Sequence, residues 1–279
     1  MARRVVSKPL LKWPGGKRWL ASLLAPTLRR ELTGRYIEPF VGGGAMFVAL
    51  QPRRALLCDS NRELISTLRV IRASHEQVFA AVRRFSNTKT CYLKVRASNP
   101  KTRVGNAARF LYLNRTCWGG IQRFNRQGRF NVPFGNSGRT VCRSSHVGDF
   151  ARLLTHARLE SGDFERRIDR AMSGDVVYAD PPYTTIGANN GFIRYNEHLF
   201  SWADQKRLAD SANRARQRGA FVVVSGLWHP ELLALYKGWW AIRLKRFVCV
   251  SRTASGRGTV FEAVLLSKKP TALPNCRLL

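Results

Sequence analysis

Residues 176–185 read VVYADPPYTT, an apolar run that ends on an acid, two prolines and a tyrosine. Ionised Asp180 can only accept hydrogen bonds, and the carbonyl of Pro181 accepts as well, with no competing proline N–H. The rings of Pro181 and Pro182 stiffen the spacing between these acceptors. Tyr183 adds a flat aromatic face. Two acceptors beside such a platform fit a planar base with an exocyclic amino group, such as adenine N6 or cytosine N4. The lone pair of that amino group is delocalised into the ring and is a poor nucleophile. Acceptors drawing on both amino hydrogens would localise it and favour tetrahedral geometry, which stabilises a transition state rather than a ground state. A structural turn with a stacked tyrosine would use the same four residue types, so the chemistry needs partners elsewhere in the chain.

Two other stretches supply them. EPFVGGGAMF, residues 38–47, reads as a strand, three glycines and the start of a helix. Gly42, Gly43 and Gly44 carry no Cβ, so the backbone can approach a ligand closely. Asp59 follows 17 residues after Gly42, at the end of the next apolar run. An acid in that place can accept from ribose hydroxyls. The spacing is not GxGxxG, which counts against a nicotinamide dinucleotide. LKWPGGKRWL, residues 11–20, is a tight turn with apolar flanks that lacks the full phosphate-loop pattern.

The elements that would position these residues alternate. RYIEPFV (35–41), ALLCDS (55–60), DVVYAD (175–180) and AFVVVSG (220–226) read as strands. NRELISTLRVI (61–71) has apolar residues at helical spacing, and the stretch from Ser201 to Gly219 is an amphipathic helix with a Ser cap and a Gly stop. AIRLKRFVCV and TVFEAVLLSK, flanking SGRG, read as a closing hairpin. This is an α/β pattern, a mostly parallel sheet with an antiparallel pair at the end, and ligands of such sheets sit at the carboxyl ends of the strands.

The 279 residues carry 48 Lys and Arg against 17 Asp and Glu, a formal net charge of +31. Of the basic residues 37 are Arg, the side chain suited to bidentate phosphate and base-edge contacts. Such a charge implies a polyanion partner, most simply nucleic acid. From Gln77 to Gly148 there is no acid at all, while 14 Lys or Arg lie between Arg83 and Arg143. A solvated helix face normally mixes both signs, so this block reads as an insertion facing nucleic acid. The six cysteines form no CxxC pair, so neither zinc nor a disulfide framework is expected. The basic start has no long apolar core and is not read as a secretory signal, and no run is long enough to span a membrane. A soluble, cytoplasmic protein, monomeric in solution, is expected, with no metal and no membrane partner.

Taken together, WPGGK, EPFVGGG, Asp59 and DPPY resemble, in this order, the alpha-class DNA adenine N6-methyltransferases, the Dam-like D12 group. FLYLNRTCWGGIQRFNRQGRFNVPFG (110–135) is similar to that family's target-recognition segment, and SRTASGRGTVFEAVLL to its final hairpin. The resemblance implies a Rossmann-like class I methyltransferase sheet with an inserted, mostly helical target-recognition domain. The catalytic domain would comprise 1–68 and 149–279, and the basic recognition domain 69–148. The cofactor would be S-adenosylmethionine and the partner double-stranded DNA, so the protein would associate with the nucleoid.

The same resemblance assigns residues. Trp13 and Lys17 would lie at the cofactor, with Lys17 also reaching the target adenine. Glu38, Phe40, Gly42 and Gly44 would line its methionine and ribose side, and Asp59 would take the ribose hydroxyls. Asp163 and Phe164 would lie near the cofactor adenine. Asp180, Pro181, Pro182 and Tyr183 would hold the flipped adenine, Asp180 also bordering the cofactor. Trp118 stands where the family wedges a tyrosine into the duplex, Arg123 where it reads a guanine, and Pro133 where it touches base edges. Arg115, Asn125, Arg126 and Asn131 complete the expected DNA contacts. The family often carries Asn where this chain has Gly119, which implies relaxed sequence preference; a short site such as GATC is the alternative. It also often carries Asn where this chain has Gly226, a difference expected to touch only a local turn. An N4-cytosine or RNA adenine methyltransferase would share these motifs, and a non-catalytic DNA-binding protein would share the charge alone.

Overall fold

Apolar runs that end on an acid become strands in this protein, and the residues just beyond them carry the chemistry. The computed structural model describes residues 8–125, 127–135, 141–184, 200–248, 258–270 and 277–279. The chain divides into two units, Met1–Ala25 with Val41–Gly162, and Pro26–Phe40 with Asp163–Leu279.

In the first unit β2 (Ala55–Asp59) and β3 (Ala157–Ser161) pair in parallel, Ala55 opposite Ala157 and Asp59 opposite Ser161. Ahead of them α2 (Ala45–Leu50) leaves the glycine turn and ends two residues before Pro52, with Gln51 in the left-handed region. α3 (Arg62–Val82) begins where Asn61 Oδ1 accepts from the Leu64 N–H at 2.9 Å, a cap that contributes about 1 kcal/mol. Leu64, Ile65, Leu68 and Ile71 are buried, as their spacing predicts. The helix bends at Ser74 (φ −148°) and continues to Val82, further than the pattern to Ile71 indicates. The expected limit between residues 68 and 69 therefore falls inside α3, and 69–148 lies within the first unit.

The described part of the basic block is largely helical. α4 (Lys89–Ala97) and α5 (Arg103–Thr116) are capped by Thr88 and Thr102, and α6 (Ser144–Leu154) follows. α5 and α6 pack on α3. Tyr92, Phe110, Leu111 and Tyr112 are buried. Burying such aromatic and aliphatic side chains stabilises a small helical cluster by about 1.5–3 kcal/mol each.

In the second unit the strands β1 (Tyr36–Glu38), β4 (Val176–Ala179), β5 (Phe221–Leu227), β7 (Gly258–Leu266), β6 (Trp240–Val248) and β8 (Arg277–Leu278) lie side by side in that order. β1, β4 and β5 are parallel; the β5–β7, β7–β6 and β6–β8 pairs are antiparallel. β4, all apolar or aromatic, is buried along its whole length, as expected of a strand covered on both faces. α7 (Glu165–Ile168), α8 (Trp202–Gln217) and α9 (Pro230–Ala234) belong to this unit. Ser201 and Asp204 close a capping box on α8, and Gly219 (φ +88°) follows its end. α1 (Arg18–Glu31) runs through the unit boundary, which falls at Pro26, and buries Leu20, Leu24 and Leu28.

Gly226 lies within β5, opposite Ala263 of β7, and not in a turn. A Cβ there would stand 2.8 Å from Leu232 Cδ2. The glycine answers to packing against α9, which corrects the expectation of a local turn effect.

Candidate active site

In the first unit the WPGGK turn closes when the Gly16 N–H donates to the Trp13 carbonyl at 3.1 Å, with Gly15 at φ +76°. Lys17 is buried at the start of α1. Trp13 lies against the glycine turn: a Cβ on Gly42 would sit 2.7 Å from Trp13 Nε1, and one on Gly43 would sit 3.1 Å from Trp13 Cβ. Gly42 also has φ +46°, so backbone and packing both demand glycine. Gly44, at φ +68°, precedes the first residue of α2.

Asp59, at the end of β2, is held by main chain. Its Oδ2 accepts from the Gly42 N–H at 3.0 Å and its Oδ1 from the Asn61 N–H at 2.9 Å. Burial pushes the carboxyl group above its ordinary pKa, and these two N–H groups pull partly against that shift. Each oxygen retains a second lone pair, enough for two vicinal hydroxyls. Trp13, Gly42 and Asp59 are thus brought together.

One residue ahead of Trp13, Lys12 is clamped by a side chain the sequence did not single out. Its N–H donates to Asn114 Oδ1 at 2.9 Å, and its carbonyl accepts from Asn114 Nδ2 at 2.7 Å. Lys12 Nζ donates to the Arg115 carbonyl at 2.7 Å. Arg115 donates from Nε to the Val141 carbonyl at 2.7 Å and from Nη1 to the Leu10 carbonyl at 3.3 Å. Arg115 thus joins separate stretches of main chain.

The stretch from Arg115 to Pro133 is partly gathered. Trp118 opens a single 3-10 turn, is 39% exposed, and donates its N–H to the Pro133 carbonyl at 2.9 Å. Gly119 and Gly120 both have positive φ, +65° and +70°. Arg123 and Asn131 flank a small hairpin in which the Phe124 and Phe130 rings meet edge-on, 5.7 Å apart. Arg123 Nε donates to Asn131 Oδ1 at 2.9 Å, which orients the guanidinium in an exposed position. Asn125 Oδ1 accepts from the N–H groups of Gln127 and Arg129 and so shapes the hairpin tip. Arg126 lies outside the described residues.

In the second unit the strand ends assemble a buried polar cluster. Asp180, one residue past β4, accepts from Ser225 Oγ at 2.7 Å, and the Tyr178 hydroxyl lies 3.2 Å from the same Oγ. Tyr36 on β1 donates to Glu38 Oε2 at 2.9 Å. Burial, followed by the charge of Glu38, raises the Tyr36 pKa well above its ordinary value; burial and the charge of Asp180 do the same for Tyr178. Both phenols are therefore protonated donors near neutral pH. Pro181 is buried, Pro182 and Tyr183 are half-buried, and Tyr183 donates to Glu262 Oε1 on β7 at 2.9 Å.

The Phe40 and Phe164 rings meet, with centroids 5.2 Å apart, and Phe200 packs on both. Asp163 accepts from Arg207 on both oxygens, at 3.0 and 2.9 Å. The Arg207 guanidinium also lies 5.0 Å from the Phe164 ring centre and pairs with Glu165 and Asp204. Nothing local marks Ser225, Glu262 or Arg207 in sequence, because each acts on a residue far away along the chain.

Among the described residues no group of three or more His, Cys, Asp or Glu is placed to hold a metal ion. Nor, among them, is any helix long and apolar enough to cross a membrane.

A glycine turn with an acid at the next strand end, and an acid-Pro-Pro-Tyr clamp after a parallel strand, are the parts of an amino-directed methyltransferase. The family model of the D12 class N6 adenine-specific DNA methyltransferases matches residues 13–247, and the chain belongs to that family. It is 32% identical over 269 residues to the Type II methyltransferase M1.LlaDCHI of Lactococcus lactis subsp. cremoris, covering 92% of this chain and 94% of that protein. It is 31% identical over 268 residues to a DNA adenine methylase of Vibrio cholerae, covering 93% and 95%. The DNA N-6-adenine-methyltransferase of Escherichia phage P1 is 35% identical over 236 residues, covering 82% of this chain and 31% of that protein.

Proposed function

We propose that this DNA adenine methyltransferase takes its methyl group from S-adenosylmethionine and delivers it to N6 of an adenine turned out of double-stranded DNA. The observation that carries the reading is the oriented carboxylate of Asp180, whose Oδ1 accepts from Ser225 Oγ at 2.7 Å one residue past the end of β4. Asp180 and the Pro181 carbonyl accept from the two N6 hydrogens, and Tyr183 stacks on the base. These contacts offset the few kcal/mol needed to unstack it. Trp118, partly exposed on its glycine turn, fills the gap left in the duplex.

The donor supplies an electrophilic methyl group on a sulfonium. When bound, it would pass that methyl group to N6 with the electron pair of the C–S bond left on sulfur, Asp180 and the Pro181 carbonyl would hold the amino group, and the surplus N6 proton would pass to solvent. On the side of Asp59, the spare lone pairs fit two ribose hydroxyls, with Trp13 packed on the glycine turn beside them. Phe40 and Phe164 offer aromatic surface for an adenine, and Lys17, Glu38, Gly44 and Asp163 complete the assignment. Residues 69–148 serve as the recognition domain. The test is nucleoside analysis of DNA and RNA after incubation with the donor. N6-methyladenine in DNA supports the reading; N4-methylcytosine, or product in RNA alone, overturns it.

One observation favours relaxed sequence preference. A Cβ on Gly119 would meet only Ile121, at 3.5 Å, and asparagine tolerates positive φ. The position has room for a base-reading side chain that the chain does not provide. Single-molecule sequencing of DNA from cells expressing the protein tests this, and modification confined to one short site would refute it.

A further inference from the structure

The final hairpin contains a buried acid that the reaction scheme leaves without a role. Glu262 sits in β7, opposite Leu227 of β5 and Leu244 of β6, with 0% of its surface exposed. A carboxylate among aliphatic strand residues is costly to bury unless it is hydrogen-bonded. Its Oε1 accepts from the Tyr183 hydroxyl at 2.9 Å. Tyr183 is the aromatic member of the DPPY clamp and lies 79 positions earlier in the chain.

We propose that Glu262 is a positioning residue for methyl transfer, acting through Tyr183; the inference rests on the methyltransferase reading above. A tyrosine ring is set by two torsions. Tying its tip to a rigid strand fixes the plane of the ring before the base arrives. Hydrogen bonds to charged groups are shorter and stronger than neutral ones, which makes the carboxylate a better anchor than a neutral acceptor. The face of Tyr183 is then ready to stack, and the extruded adenine is ordered against a surface that is already still. The hydroxyl touches no reacting atom in this scheme, so Glu262 governs the alignment of the base and leaves the attack on the methyl carbon to Asp180 and Pro181.

The experiment is a double-mutant cycle on the full chain with a DNA substrate, reading single-turnover methylation and the fluorescence of 2-aminopurine at the target position. Tyr183→Phe keeps the ring and removes the tie. Glu262→Leu removes the anchor, and Glu262→Gln keeps an acceptor. Tyr183→Phe and Glu262→Leu are expected to slow methylation by a similar factor, roughly 10- to 100-fold, the size of one hydrogen bond to a charged group. Both should leave the dissociation constant for DNA within about threefold, since phosphate contacts dominate affinity. The double variant should be no slower than the slower single, and Glu262→Gln, a neutral acceptor, should fall between Glu262→Leu and wild type. Losses that multiply in the double variant would overturn the proposal, because they would show that Glu262 acts independently of Tyr183. A Tyr183→Phe enzyme as fast as wild type would overturn it too, even if Glu262→Leu failed to fold. A wild-type enzyme that methylates no DNA would instead defeat the functional reading itself.

Discussion

Asp59 and Asp180 are both acids at the carboxyl ends of parallel strands, yet they are held in different ways. Asp59 is held by the backbone: its oxygens accept from the N–H groups of Gly42 and Asn61, 17 and 2 positions away. Asp180 is held by a side chain: Ser225, 45 positions away on the neighbouring strand, donates to it with Tyr178 close behind. Backbone donors survive most substitutions, provided the turn that presents them is kept. A side-chain donor can be removed by a single change. The hold on Asp59 thus depends on chain conformation, and the hold on Asp180 on residue identity.

The largest effect expected from this contrast is at Asp180 itself. Asp180→Ala should lower single-turnover methylation by roughly 1,000-fold or more, the scale of removing a preorganised transition-state contact. Salt-sensitive DNA binding in a mobility-shift assay should persist. Activity within tenfold of wild type would break the assignment. Gly42→Ala comes next, because it strains the backbone at φ +46° and drives a Cβ to 2.7 Å from Trp13 Nε1. Calorimetry should show a loss of about 1–3 kcal/mol, with the donor's Kd rising more than that of DNA. Ser225→Ala should cost about tenfold in kcat, one hydrogen bond's worth, with KM for the donor unchanged. A change in donor KM instead would blur the distinction between the two acids.

The smallest effect is a pH dependence. Burial raises the Asp59 pKa above its ordinary value. Donor binding should therefore weaken on acidification at a pH higher than an ordinary aspartate, near 3.9, would give. Folding stability has the opposite sign for this group. The folded state binds the proton more tightly than the unfolded one, so the contribution is complete below the unfolded pKa and is lost as pH rises through the folded pKa. Titrating donor affinity in wild type and Asp59→Asn should show the acid limb only in wild type.

What was legible in the sequence is what chemistry writes locally. The glycine turn, the acid that ends β2, the DPPY run and the Ser201 cap each announce themselves within a few residues, and the structure bears out the elements that carry them. The strand β3 was missed because Ala-Arg-Leu-Glu-Ser is short and only half buried. The extension of α3 beyond Ile71 was missed because a bend at Ser74 interrupts the helical spacing. Asn114, Ser225, Glu262 and Arg207 were missed for another reason. Their roles lie in who their partners are, and partner choice is set by strand order and register, which no single stretch of residues records. Arg115 adds a structural part that its place in a basic block does not announce: Nε and Nη1 donate to the Val141 and Leu10 carbonyls.

The bond between Lys12 and Asn114 joins residues 102 positions apart. On a ribosome adding roughly 5–20 residues per second, about 5–20 s separate the synthesis of the two. For that interval the Lys12 N–H and carbonyl have only water in place of the Asn114 amide. A chain interrupted just short of residue 114 would already contain the glycines and Asp59, yet lack the side chain that clamps Lys12. The turn at residues 13–17 is thus braced by a side chain made about a hundred residues later, and the chain acquires the two in a fixed order of birth.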